Sequence, residues 1–260
     1  MFQTVGATLA YELTGDDGAP LFVQMHGLTS SAWREHRAGL DVTGRLGDFR
    51  VLRYDARGHG SSTGRAVPED YVWPQLADDL LALLETVAPG MAVHTGGPSM
   101  GAATQLYAAL KAPERFASLT LLVPPTGWET RRGQAGHYEE SAALVENEGI
   151  GAFIRVGESV LPPPALADRT KERVPAVSQE LLPSIFRGAA LTDLPPKEQL
   201  AQLQIPVQIL AWVDDHAHPV STAEQLQRLI PGAQLAIAET PEDLETWPDR
   251  VARFVQRSRD

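Results

Sequence analysis

Apolar positions along this chain gather in short blocks instead of alternating with polar ones. PLFVQMH (20–26), FRVLRYD (49–55), MAVHTGG (91–97), SLTLLVPP (118–125) and IPVQILAW (205–212) are near-continuous, and AQLAIAET (233–240) is a weaker run. Blocks of this kind suit parallel strands buried on both faces, because neither side of such a strand meets water. Helical periodicity fills the intervals. In VWPQLADDLLALLETVA, Leu76, Leu80, Leu83, Leu84 and Val87 share one face, and helical patterns recur at 100–116, 221–230 and 247–258. The alternation predicts an α/β fold with a mostly parallel, doubly wound sheet.

The alternation stops between Pro124 and Gln204. That stretch is rich in Glu, Arg, Ala and Pro, with a helical patch at HYEESAALVENEG and stiff turns at LPPPAL and TDLPPK. It is too long for a simple loop, so it predicts an inserted helical subdomain at 124–204, with residues 1–123 and 205–260 forming the core.

The junction between the third of these blocks and its helix reads GGPSMG (96–101). A strand that turns into a helix within one residue strains that residue and brings backbones close enough to exclude side chains at Gly97 and Gly101. It also holds the Ser99 hydroxyl clear of the sheet, beside the positive end of the following helix. This is the mechanical content of G-x-S-x-G.

Composition narrows the chemistry. The 260 residues include no cysteine, which excludes thiol nucleophiles and thiolate metal sites, and a formal charge of −11 speaks against nucleic acid or an anionic membrane as partner. No apolar run approaches the roughly 20 residues of a spanning helix, and the N-terminus lacks a secretory pattern, so a cytoplasmic address is expected. The scattered histidines form no metal constellation, and GGPSMG lacks the lysine of a phosphate loop, so no cofactor is expected.

With VQMHGLTSSAW (23–33), RYDARGHGSS (53–62), the elbow at 97–101 and LAWVDDHAHP (210–219), the chain resembles the α/β-hydrolase fold family over nearly its whole length. The resemblance implies that 124–204 is a helical cap and that Ser99 is a nucleophile. It also implies an oxyanion hole from the backbone N–H groups of Leu28 and Met100. His26 would anchor the oxyanion loop and Arg57 would be structural, while His59 matches no family role and reads as a solvated loop residue. Asp215, four residues before Pro219, is the better candidate acid, with Asp214 the alternative. The implied activity is hydrolysis of a small-molecule ester or lactone through an acyl-serine.

The family's C-terminal histidine is missing. No histidine follows His218, and Glu239 or Thr240 stands where the imidazole belongs. A serine hydroxyl needs a base matched to neutral pH, so three readings stay open. Another histidine has taken the task, with His218 first and His216 or His137 behind it, His36 and His94 being poorer. Alternatively, Glu239 pairs with Asp215 as two carboxylates, or the site is catalytically retired and only binds a ligand or serves structure. Trp128 and His137 are candidate substrate contacts at the opening of the cap. Trp128 could instead pack the cap on the core, and Arg131 and Arg132 read as solvated. Trp33, Tyr71 and Trp73 could approach the cleft, and Trp247 reads as a core anchor.

Overall fold

The computed structural model describes residues 1–167, 169 and 174–258. The chain opens with an antiparallel hairpin, β1 (Phe2–Thr4) and β2 (Ala7–Leu9). It then builds a seven-stranded sheet from β3 (Tyr11–Thr14), β4 (Leu21–Gln24), β5 (Arg50–Tyr54), β6 (Val93–Pro98), β7 (Phe116–Leu122), β8 (Val207–Trp212) and β9 (Gln234–Ala238). Their spatial order is β3-β5-β4-β6-β7-β8-β9. Only the β3–β5 pairing is antiparallel. Every residue of β4, β6 and β8 is buried, as their continuous apolar blocks require. The strands of the first fourteen residues escaped the sequence reading because they are only three or four residues long and contain no apolar block.

Helices cover both faces. On one side α2 (Trp73–Val87), α3 (Met100–Lys111) and α8 (Val220–Leu229) bury Leu80, Leu83, Leu106 and Leu226 against Leu119 and Leu121 of the sheet. On the other, α10 (Trp247–Arg257) sets Trp247, Val251 and Val255 against Phe22, Leu122 and Trp212. Between β7 and β8 lie α4 (Arg131–Glu148), α5 (Ile150–Glu158), α6 (Leu182–Ala190) and α7 (Lys197–Leu200), the inserted helical region that the break in alternation predicts. The insertion has its own apolar cluster, in which Ala142, Val145, Leu182, Ile185 and Phe186 close over Tyr71. Two short helices, α1 (Ala32–Ala38) and α9 (Pro241–Glu245), follow β4 and β9.

From β4 the chain moves outward to β5, then returns to place β6 on the other side of β4. The loops leaving β4 and β6 therefore diverge at the carboxyl ends of neighbouring strands, where open α/β sheets form their clefts. Arg57 braces this edge. Its guanidinium is buried and donates to both carboxylate oxygens of Asp79 at 2.6 and 2.7 Å and to the Val5 carbonyl at 3.2 Å. The Arg57 side chain is thus structural, as its motif implies.

The two elbow glycines are needed for packing. A Cβ on Gly97 would sit 2.6 Å from Met25 Cβ, and one on Gly101 would sit 2.9 Å from the same atom and 3.1 Å from the His26 carbonyl. Overpacking of this kind costs about 1–3 kcal/mol. Gly101→Ala is expected to lower the urea midpoint accordingly with an unchanged m-value; an unchanged midpoint would show that the β4 loop yields.

Candidate active site

Ser99 lies at the junction of β6 and α3 with φ 51° and ψ −107°, a left-handed conformation that a side-chain-bearing residue adopts only under constraint. The constraint is visible. The Ser99 N–H donates to the Leu122 carbonyl at 3.0 Å, the Ser99 carbonyl accepts from Ala103, and Gly97 and Gly101 let β6 and α3 lie against Met25. The N–H of Met100, first in α3, belongs to the helix turn that has no intrahelical acceptor.

The loop after β4 faces this turn. His26 is buried; its Nδ1–H donates to the Gly27 carbonyl at 2.8 Å, while its Nε2 accepts the Ala56 N–H at 2.9 Å. Both ring nitrogens are thereby used by the neutral imidazole, and burial pushes its pKa down to about 4 against the pull of the Gly27 carbonyl. The Gly27 N–H donates to Glu35 Oε1 at 3.0 Å, and the Thr29 carbonyl accepts from Ala176 in the insertion at 2.8 Å. His59 corrects the sequence reading. It is buried, not solvated, with its ring 5.1 Å from that of His26 and its Nδ1 on the Arg57 carbonyl at 2.8 Å. The turn at Gly58 and Gly60 folds the ring inward instead of leaving it at the loop tip.

The loop after β8 carries Asp215, the candidate acid. Asp215 Oδ2 accepts from His218 Nδ1 at 2.8 Å and from Trp212 Nε1 at 2.8 Å, and its Oδ1 accepts from the Ala217 N–H at 2.9 Å. Burial pushes the Asp215 carboxyl up, but the bonds from His218, Trp212 and Ala217 outweigh it and hold the group well below the usual carboxylate range. The Trp212 indole stacks on Trp247 at 6.0 Å and meets the His218 ring edge-on at 6.2 Å, so two core aromatics set the orientation of the pair. Asp214 carries φ 59° and, like Asp215, lines a neighbouring chamber.

Ser99 and His218 line one cleft of 270 Å³ with Gly27, Leu28 and Glu35; its apolar wall comes from Tyr138, Phe153 and Phe186 of the insertion and from Val123 and Trp212 of the core. Among the described residues, no Lys or Arg lines it. A chamber of 640 Å³ adjoins it through Thr29, Ser30, Glu35, Leu40, Gln134 and Ala217, and its far wall is Val160, Leu161, Pro162, Pro163 and Leu166. His137 and His216 line that chamber, not the Ser99 cleft. Among the described residues, no group of three His, Asp or Glu side chains could hold a metal ion, and no helix is long and apolar enough to cross a membrane.

Other candidates lie elsewhere. Trp128 does not line the cleft; its indole donates to the Pro195 carbonyl at 3.0 Å and packs on the core, the second of its two readings. Arg131 is neither solvated nor turned to the cleft. It is buried over the Trp73 ring at 4.4 Å and donates to the Thr192 carbonyl at 2.8 Å and to the Ala189 carbonyl, while Arg132 is exposed as expected. Tyr71 and Trp73 are buried, the latter beneath Arg131, and Trp33 is 63 % exposed. His36 is exposed beside Asp41, and His94 pairs with Ser118 within the sheet at 2.7 Å. Glu239 is exposed outside the cleft, because Thr240 and Asp243 form a reciprocal capping box that starts α9 directly after β9. The carboxylate pair with Asp215 is therefore not assembled. Glu35, which reaches the cleft from α1, was missed by sequence reading; a single glutamate in a short polar helix carries no signal.

The family described as "alpha/beta hydrolase fold" matches residues 20–140. The chain is 27% identical to 3-oxoadipate enol-lactonase 2 of Acinetobacter baylyi, over 91% of this chain and 86% of that protein. Among solved structures it is similar to a hydrolase from Pseudomonas aeruginosa, with a TM-score of 0.80 and 28% identity over 98% of this chain and 96% of that one. It also superposes on the enol-lactonase from Burkholderia xenovorans with a TM-score of 0.77 at 21% identity, covering 95% of this chain and 96% of the other.

Proposed function

This chain has the α/β-hydrolase fold with a helical insertion, and from that premise we propose that it is a serine hydrolase of small, uncharged esters or lactones. The observation that carries the reading is the Asp215–His218 pair opening on the same cleft as Ser99. Asp215 occupies Nδ1, so Nε2 is the nitrogen left to take the Ser99 proton. The serine oxygen then bonds to the substrate carbonyl carbon. The resulting oxyanion is held by the N–H groups of Leu28 and Met100, and the departing alkoxide takes the proton back from His218. Water repeats the sequence on the acyl-serine, releasing the acid and restoring the hydroxyl. In this reading residues 124–204 act as the cap over the cleft.

Substrate charge follows from the lining. A carboxylate-bearing substrate needs a basic partner when desolvated, and the aromatic and aliphatic wall offers none. An apolar acyl or alcohol portion fits that wall, while a longer, polar arm can extend into the adjoining chamber, whose lining includes Arg34 and Arg169. A cytoplasmic address belongs to the same reading.

The test is intact-mass detection of a fluorophosphonate adduct. One adduct per chain is expected on the native protein, and none on Ser99→Ala. No adduct on folded native protein would sink the acyl-enzyme and leave ligand binding as the role of the cleft.

A further inference from the structure

Glu35 stands in this cleft with no part in the steps above. It is the fourth residue of α1, a helix whose start is fixed by Ser31 capping the Arg34 N–H at 3.3 Å and by Asp55 accepting the Ala32 N–H at 2.8 Å. Its side chain is only 3 % exposed and turns back beneath the loop that leaves β4. There Oε1 accepts the Gly27 N–H, and Ser30 adds a side-chain bond from the same loop. Burial, the largest influence, raises its pKa. The bonds from Gly27 and Ser30 and the charge of Arg34 pull it back down, and Asp41 adds to the rise.

The geometry of the loop gives this contact a consequence. Two peptide units flank Gly27. The one that carries the Leu28 N–H ends in the Gly27 carbonyl, which is held by His26 Nδ1 at 2.8 Å and by the Ser30 N–H at 3.2 Å. The other carries the Gly27 N–H, and Glu35 holds it at 3.0 Å. Gly27 has no side chain to restrict its two dihedrals, so external bonds such as these help fix the angle between the units. His26 restrains one unit and Glu35 the other. Releasing either lets the Leu28 N–H swing away from the Ser99 turn.

We propose that Glu35 is a positioning residue that clamps the Gly27 peptide and so aims the Leu28 N–H at the Ser99 site. The proposal rests on the reading of Ser99 and Leu28 given above. Because the bond needs an acceptor oxygen and no charge, an amide serves as well as a carboxylate. A carboxylate acting on protons in the cleft would behave otherwise.

The experiment compares Glu35→Gln and Glu35→Leu with the native protein on p-nitrophenyl butyrate, with thermal melting as the check on folding. Glu35→Leu is expected to lower kcat about 10- to 100-fold with KM within about twofold, the scale of a misplaced oxyanion donor. Glu35→Gln is expected to recover most of that loss. A second readout is amide hydrogen exchange of Gly27 and Leu28, which needs no turnover. Exchange should quicken in Glu35→Leu and stay native-like in Glu35→Gln. Equal damage from both variants, a loss confined to KM, or unaltered exchange in Glu35→Leu would overturn the clamp. If the native protein hydrolyses no ester, the reading of Ser99 fails, and the exchange comparison still decides whether Glu35 holds the loop.

Discussion

His218→Ala is expected to lower kcat on a small ester by about 10³- to 10⁴-fold, with KM little changed and only a modestly lowered melting temperature. The size follows from what the imidazole supplies. Without it the Ser99 proton has no acceptor near neutral pH, and only the oxyanion donors and substrate binding remain. The stability forecast follows from position: the half-buried His218 ring gives up its bond to Asp215, which keeps those from Trp212 and Ala217. Asp215→Asn should cost about 10²- to 10⁴-fold, because an amide no longer fixes the tautomer that leaves Nε2 as acceptor. His36→Ala, a change at an exposed residue beside Asp41, serves as the control. Steady-state kinetics with pH profiles of the three variants read the result. Native-like turnover by His218→Ala would dismiss it as the base while leaving Ser99 to the labelling experiment.

The proposed base and acid share one loop for a reason that can be traced in the chain. In Asp215-His216-Ala217-His218, the Asx-type bond from Ala217 to Asp215 and the turn from the His218 N–H to the Asp215 carbonyl bring residues three apart face to face. The same-loop pairing was therefore legible as a spacing, once the C-terminal segment was seen to hold no histidine. The structure supplies what that reading left out: Thr240, Pro241 and Asp243 form a helix start in place of a loop.

Other features were hidden by the kind of signal they carry. The central strands could be read because burial on both faces demands continuous apolar sequence. The N-terminal hairpin and β3 could not, since strands of three or four residues without an apolar block look like any mixed segment. Arg131 was misjudged because composition favours exposed arginines. Its burial depends on the Trp73 ring and on the Thr192 and Ala189 carbonyls, partners distant in sequence. Glu35 and His59 were obscured in the same way. Their roles arise from loops folding over them, and no local pattern marks that event.

A steep loss of stability below pH 6.5 is the second large effect expected, and its source is the His26–His59 pair. Burial lowers the pKa of His26 to about 4 and that of His59 to about 3, the latter with a further contribution from His26. The unfolded chain binds protons at the ordinary histidine value of about 6.5. Below that pH the unfolded state takes up two protons that the folded state refuses, so folding free energy falls until the pH reaches the depressed values. Each ring costs about 1.4 kcal/mol per pH unit, giving roughly 5 kcal/mol for the pair by pH 4.5, a large share of an ordinary domain's stability of about 5–15 kcal/mol. The carboxylates do not reproduce this window. Asp215 and Asp41, both held low, lose stability only below the ordinary carboxylate range, and Glu35, held high, works in the opposite direction. Urea midpoints at pH 7.0, 5.5 and 4.5 read the slope directly. In His59→Leu the slope should fall by about half whatever the variant's stability at neutral pH, because one of the two titrations is gone. A native slope near zero between pH 6 and 5 would mean that water reaches the rings. The loop from Asp55 to Thr63 would then open more readily than its hydrogen bonds to Ala32, Ala10 and Thr8 allow.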